Sequence, residues 1–485
     1  METIQLLPKA ESLIESLRDI GYTFESAVAD IIDNSITAGS KNIKIYFDFK
    51  NGELILAIID DGIGMNRAEL IEAMRPGSKN PLDEREKNDL GRFGLGLKTA
   101  SFSQCRKLTV ISSQRNIFSG ARWDLDFVSK KHDWSLQLLD NNEILDTYKI
   151  NTLKENGTFV LWENTDRIID NSVVSINEEI VYQKIEILQK HLELVFHKFL
   201  QGKNKVNIFI NDNPLKAFDP FHSSHTATQE LPEEVILIDD KKIEVKPYIL
   251  PHYSKVSVQD YEYYAGDGGY LKNQGFYVYR NNRLLISGTW FRIIPQSEMY
   301  KLARIEINLP NNLDDLWKID IKKSYASPPV IIRERLKKIV DKISGASTRI
   351  YTSRGHSSKK ITGAFWERNS KNGEIKYLIN KQHPLINEFI GQLTTEQSNE
   401  FNKIINLIGN FFPKDTLYSD IGNNNSNNIN KIEITDEELE DMSRKIIIKE
   451  GEFISNDEFY KYFKSTEPFN IYTKDWKTFI ENMEK

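Results

Sequence analysis

Residues 58–65 read Ile58-Ile59-Asp60-Asp61-Gly62-Ile63-Gly64-Met65, an apolar run that ends on two acids and two glycines spaced two apart. The run begins at Glu53, a second one covers Asn42–Phe49, and Lys50-Asn51-Gly52 joins them. Asn-Gly between such runs predicts a β-hairpin. An acidic residue at the strand end can accept from an amino group such as that of adenine. The glycines let the backbone turn sharply and come close to a flat ligand. An ordinary Asp-Gly turn is the alternative reading.

On the N-terminal side, residues 22–38 read as a helix. Thr23 is placed to cap it, Ala27, Val28, Ile31 and Ile32 form an apolar stripe, and Gly39 ends it. Asp30, Asp33, Asn34 and Thr37 fall on the opposite face. They are either a solvated face, or a carboxylate that orients water with an amide oxygen four residues on that ligates a hard cation. Magnesium prefers oxygen and usually takes one or two ligands from protein. On the C-terminal side, 66–74 reads as a helix, and 75–95 is polar and glycine-rich. So long a connector suggests a lid or binding loop. Gly91-Arg92-Phe93-Gly94-Leu95-Gly96-Leu97-Lys98-Thr99 then opens a helix, where backbone N–H groups favour phosphate. It is not a P-loop, since Leu97 separates Gly96 from Lys98. It is not a Rossmann fingerprint, since it does not follow the first strand and Thr99 stands in place of the last glycine.

In this order and spacing the stretches resemble the GHKL ATPases, named for gyrase, the ninety-kilodalton heat-shock chaperone, histidine kinases and MutL. The resemblance implies an α+β fold: a Bergerat-type ATPase sandwich (a mixed sheet with helices on one face), an α/β transducer domain and a mostly helical C-terminal tail. It also implies Mg-dependent hydrolysis of ATP. Asp30-Ile31-Ile32-Asp33-Asn34 is similar to the first box, with Asn34 on Mg2+ and Asp30 at the general-base position. Asp60 to Met65 is similar to the adenine box, so that Asp60, Gly62, Gly64 and Met65 would line the base. Gly91 to Lys98 is similar to the phosphate lid, which gives roles to Gly91, Gly94, Leu95, Gly96 and Lys98. Asn156-Gly157-Thr158 resembles the last box, with Thr158 near the adenine-binding carboxylate. One position departs: the family usually has Glu where this chain has Asp30, one methylene shorter, so the water must sit closer or turnover slows. Glu25 lies more than two helical turns from Asn34 and is a poor substitute.

Further on, Gly275-Phe276-Tyr277-Val278-Tyr279-Arg280-Asn281-Asn282-Arg283-Leu284-Leu285 resembles the transducer strand and turn of MutL and the MORC ATPases. A plain hairpin is the alternative. Lys318 to Ser324 resembles the transducer loop whose lysine reaches the γ-phosphate, and Lys323 is favoured over Lys322 for that role; either can be an ordinary surface lysine. Histidine kinases carry no such transducer. The resemblance is best to prokaryotic MORC-like proteins and spans about residues 5–345. The expected organisation is 1–170 ATP-binding domain, 171–345 transducer, 346–421 helical region, 422–430 Asn-rich linker and 431–485 small helical module. Helix is expected at about 176–200 and 329–343 and through most of 361–412, and strand at 205–210, 234–250, 275–287 and 302–308. Thr435-x-x-Glu438 and Ser455-x-x-Glu458 are capping boxes.

Among the 485 residues, Lys plus Arg is 64 and Asp plus Glu is 70, which excludes a histone-like polycation but not a local basic patch. Residues 330–360 hold nine basic and two acidic side chains. This segment is either a solvated helix with a basic loop or a contact for double-stranded DNA. Cys105 is the single cysteine, which excludes a disulfide scaffold and fits a reducing, cytoplasmic setting. No apolar stretch is long enough for a membrane span. The family resemblance implies an ATP-gated clamp that dimerises with ATP, acts on DNA and serves a prokaryotic DNA-processing or anti-phage defence system. Residues 1–22, with Leu13, Ile14, Leu17 and Ile20, either swap across that dimer or pack on their own domain. The C-terminal region is open to protein partners. The competing readings are a chaperone-like or scaffolding ATPase with a protein client and a slow ATP-binding switch.

Overall fold

A computed structural model describes residues 3–4, 8–50, 53–77, 96–168, 178–238, 241–310, 313, 316–317, 327–352, 364–371, 374–413, 434–450 and 455–483. The chain divides into two compact units, 1–347 and 348–485.

The first unit begins with helices α1 (Ala10–Arg18) and α2 (Phe24–Thr37). Thr23 caps α2 by accepting from the Ser26 N–H. Strands β1 (Asn42–Lys50) and β2 (Glu53–Asp60) follow, with Lys50 opposite Glu53, the register a two-residue turn requires. Then come α3 (Arg67–Met74), α4 (Gly96–Phe102), β3 (Lys107–Gln114), β4 (Ile117–Asp124), α5 (Leu125–Lys131), β5 (Gln137–Leu139), α6 (Asn141–Leu145), β6 (Gly157–Glu163), α7 (Glu178–Val195), β7 (Asn207–Ile210) and β8 (Asn213–Pro214). Among the described residues these strands form one eight-stranded sheet in the order β5-β4-β3-β6-β2-β1-β7-β8. All neighbours are antiparallel except β1 and β7. The sheet therefore runs past residue 170, because β7 joins the free edge of β1.

Alternation along the strands sorts the two faces. Ile43, Ile45, Leu56, Ile58, Val110 and Trp162 turn to the helices, where Ala27, Val28, Ile31 and Ile32 of α2 and Leu188 and Leu192 of α7 join one core. Tyr46, Ile59, Ile111 and Phe159 face the other way, under Ile144 and Leu153. Helix α1 packs on its own domain: Ala10 and Ile14 are buried, and Arg18 donates to both oxygens of Asp166 at 2.5 and 2.7 Å and to the Phe102 carbonyl.

A second sheet completes this unit. It contains β9 (Gln229–Glu230), β10 (Glu234–Ile238), β11 (Lys241–Ile249), β12 (Gly275–Arg280), β13 (Arg283–Thr289) and β14 (Ala303–Leu309). Its order is β10-β11-β14-β12-β13, with β9 on β11. Asn281 and Asn282 both take positive φ, 48° and 67°, so the β12–β13 turn has the I′ geometry that asparagine tolerates. Helix α7 spans both sheets: its Leu188 and Leu192 belong to the first core, while Leu194 packs against Tyr248, Tyr277 and Leu284. Helix Val330–Thr352 buries Ile332, Leu336, Ile339, Val340 and Ile343 and exposes Arg335, Lys337 and Lys338.

In the second unit, helices Pro384–Gly391 and Thr395–Asn410 bear out helix within 361–412, but Trp366–Lys371 and Glu374–Ile379 pair as a hairpin. Asn372-Gly373 sits between these strands, the same turn signal that marks β1–β2. Helices Asp436–Glu450, Asn456–Ser465 and Trp476–Met483 enclose Leu439, Phe459, Phe463, Phe469 and Trp476. Both capping boxes form, with Glu438 accepting from the Thr435 N–H and Glu458 from the Ser455 N–H. On the first of these helices Asp436 accepts from the Thr473 N–H at 3.1 Å. The Asn-rich tract 422–430 lies outside the described residues.

Candidate nucleotide site

The site is built where β2 ends beneath α2. Register places Asp60 opposite Thr158 on β6, and Thr158 opposite Ser112 on β3, so the three side chains form a row across the sheet. Asp60 is 6% exposed. Its Oδ1 accepts from the Gly62 N–H at 2.9 Å, Ser40 Oγ at 3.1 Å and the Thr158 N–H at 3.2 Å. Its Oδ2 accepts from Ser35 Oγ of α2 at 2.8 Å. Burial pushes the Asp60 carboxyl above its ordinary value, against these four donors, which pull it down. Ser112 Oγ accepts from the Met65 N–H, donates to the Gly157 carbonyl and lies 3.2 Å from Thr158 Oγ1.

The glycines are required by contact. A Cβ on Gly62 would lie 2.8 Å from Ser40 Oγ. One on Gly64 (φ +69°) would lie 1.9 Å from the Ser113 carbonyl oxygen, inside any tolerable distance. Met65 is half-buried and packs against the first core.

Helix α2 carries the second half. Asp30 and Asp33 are 4% and 1% exposed, whereas Asn34 and Thr37 on the same face are exposed. The face is therefore not simply solvated. Asp30 Oδ2 accepts from the Tyr22 hydroxyl at 2.8 Å, and a Cβ added to Gly96 would come within 3.6 Å of that oxygen. The start of α4 thus abuts the Asp30 carboxylate. Asp33 accepts from Arg283 Nε at 3.2 and 3.3 Å. Lys98, 2% exposed, donates to the Ala73 carbonyl at 2.8 Å, and burial brings its ammonium down to about 8, opposed by Glu72. Gly91, Gly94, Leu95, Lys322, Lys323 and lid positions 78–95 lie outside the described residues.

This donor set suits a magnesium nucleotide. Oδ2 of Asp60 carries a single donor among the described residues, which leaves a lone pair for an exocyclic amine. Asn34 offers one exposed amide oxygen, the small protein share magnesium takes beside phosphates. Among the described residues no cluster of three or more His, Cys, Asp or Glu competes as a metal site. Sequence reading missed Ser35, Ser40, Ser112 and Tyr22. Ser112 had a signal, since strand alternation sets it on the face of Val110, but Ser35, Ser40 and Tyr22 have none outside the folded structure.

Residues 22–158 match the family described as histidine kinase-, DNA gyrase B- and HSP90-like ATPases. The chain is 32% identical over 94 residues to ATPase morc-1 of Caenorhabditis elegans, a match covering 19% of this chain and 11% of that protein. It is 37% identical over 116 residues to the DNA mismatch repair protein MutL of Buchnera aphidicola, covering 23% and 19%. It is 24% identical over 274 residues to the chaperone protein HtpG of Aliarcobacter butzleri, covering 49% and 42%. The matches thus span less than a fifth of the MORC and MutL relatives and under half of this HtpG. Among the described residues no helix is long and apolar enough to cross a membrane. The Asp60–Thr158–Ser112 row and the glycine contacts fall inside the matched stretch: residues 22–158 form a domain that matches the GHKL ATPases.

Proposed function

We propose that the protein is a magnesium-dependent ATPase acting as an ATP-gated, dimerising clamp on double-stranded DNA. The observation that carries it is the Ser35–Asp60 hydrogen bond of 2.8 Å, which joins the base-binding strand end to the helix bearing Asp30 and Asn34 in a single site. Asp60 accepts from the adenine amine, Gly62 and Gly64 let the backbone approach the ring, and Thr158 steadies the carboxylate. Asn34 holds Mg2+, which neutralises phosphate charge when bound. Asp30 orients the attacking water; Lys98 and Lys323 add positive charge at the phosphates. Arg335, Lys337 and Lys338 present the basic stripe for DNA, while Arg333 is committed to the Phe291 carbonyl. The likeness to a DNA mismatch repair protein supports a role in DNA processing, and a place in a prokaryotic defence system is what the MORC-like resemblance implies.

A second reading, a slow ATP-binding switch, is favoured by the Tyr22 hydroxyl on Asp30. That bond engages one oxygen of the carboxylate assigned to the attacking water. Phosphate release from magnesium ATP, with and without double-stranded DNA and beside Asn34→Ala, tests both readings. The clamp expects DNA to raise turnover, with the rise lost in Arg335→Glu/Lys337→Glu/Lys338→Glu. Turnover indifferent to DNA overturns it in favour of a protein client. ATP binding without release, with turnover gained in Asp30→Glu, supports the switch.

A further inference from the structure

Asp33 is the acid of the first box to which the proposed function gives no role. It lies three residues after Asp30 and one before Asn34 on α2. Its partner Arg283 comes from 250 residues away, at the first position of β13 after the Asn281-Asn282 turn. The contact is buried: the side chains are 4% exposed for Arg283 and 2% for Asp33. Arg283 is fixed on two further sides. Its Nη1 donates to the Leu284 carbonyl, and its guanidinium sits 5.2 Å over the Phe196 ring. Among the described residues no other carboxylate pairs with Arg283. His191 of α7 adjoins the pair but is held neutral, since burial, aided by Arg283 and opposed by Asp33, brings its ring down to about 4. The charge of Arg283 is therefore answered by α2.

We propose that Arg283 is a positioning residue for hydrolysis: through Asp33 it fixes the rotation of α2, and so the placement of Asp30 and Asn34, from the second sheet. This rests on the ATPase reading above. A guanidinium held at a buried carboxylate admits few arrangements, because sliding or rotating the helix leaves one charge unanswered in a low-dielectric interior. Any rearrangement of the β12–β13 hairpin is then felt at the water-orienting carboxylate one helical turn away. Asp60 lies on β2, and three of its four donors, Ser40, Gly62 and Thr158, lie outside α2, so the base keeps most of its support when the helix turns.

The test is turnover per nucleotide-binding site in the full chain, with sites counted by titration with a non-hydrolysable ATP analogue. Arg283→Gln is expected to lower kcat per site at least tenfold while analogue affinity stays within threefold, and Arg283→Lys is expected to recover to within threefold of the native rate. A merely structural role would lower the number of sites and leave the rate per site unchanged. If Arg283→Gln does not fold, Asp33→Asn/Arg283→Gln removes both charges at once, and a fivefold or greater loss per site is expected. A rate per site within twofold of native in whichever of these variants folds overturns the proposal. Native protein that releases no more phosphate than Asn34→Ala overturns the ATPase reading instead, a different result.

Discussion

Asp33 and Asp60 are two buried carboxylates, one on α2 and one at the end of β2, and they are satisfied in opposite ways. Asp60 is surrounded by neutral donors, two hydroxyls and two backbone N–H groups. Asp33 faces a guanidinium. Neutral donors orient a carboxylate without cancelling its charge, so it can still accept from something new. A cation at 3.2 Å spends that capacity on holding two elements together. The difference assigns the two acids to different tasks: Asp60 is kept for a ligand, and Asp33 is used in the architecture.

The contrast can be broken most directly at Arg283. Arg283→Ala removes the guanidinium from a buried carboxylate, and chemical denaturation is expected to show a loss of about 3–5 kcal/mol. A loss below about 1 kcal/mol would mean that the pair is not a joint. At Asp60 the pattern should reverse. Asp60→Asn is expected to weaken ATP binding by about 1.5–3 kcal/mol, roughly ten- to a hundredfold, by calorimetry. Its melting temperature should change little, because burial already disfavours the charged form. A variant that melts early but binds normally would exchange the two roles.

A smaller effect sharpens the comparison beside Asp33. The folded-state ring of His191 is brought from 6.5 to about 4, chiefly by burial. A ring depressed in this way is favourable above pH 6.5, and that contribution is lost as pH falls from there towards 4, where the unfolded chain takes up a proton more readily. Native protein should lose stability across that window at up to about 1.4 kcal/mol per pH unit from this group, and His191→Gln should flatten the slope. An equal slope in the variant would place the acid sensitivity elsewhere.

Much of this was legible in the sequence because it is local. The cap at Thr23, the stripe on α2 and the Asn51-Gly52 hairpin depend on residues within a few positions of one another, whereas the atoms that require Gly62 and Gly64 come from Ser40 and Ser113. The burial of Asp30 and Asp33 was not legible, because helical spacing places them on one face without saying what covers it. Tyr22 and Arg283 provide the answer, the latter from the far end of the unit. The Trp366–Ile379 hairpin carried a readable Asn-Gly signal inside a stretch whose helices dominate its composition. The roles of Asn34, Lys98 and Lys323 rest on likeness to a family, since their chemistry depends on a bound nucleotide.

The outermost strands of the eight-stranded sheet are three residues (β5) and two residues (β8), and the latter ends in Pro214. A sheet edge is a template for further strands only if it offers a run of free N–H and C=O groups. Short margins, one of them closed by a residue with no N–H, offer almost none. Strand addition at this sheet is thereby disfavoured as a means of assembly. Contacts at these margins fall to helices and loops, which can be released again without unzipping a backbone ladder.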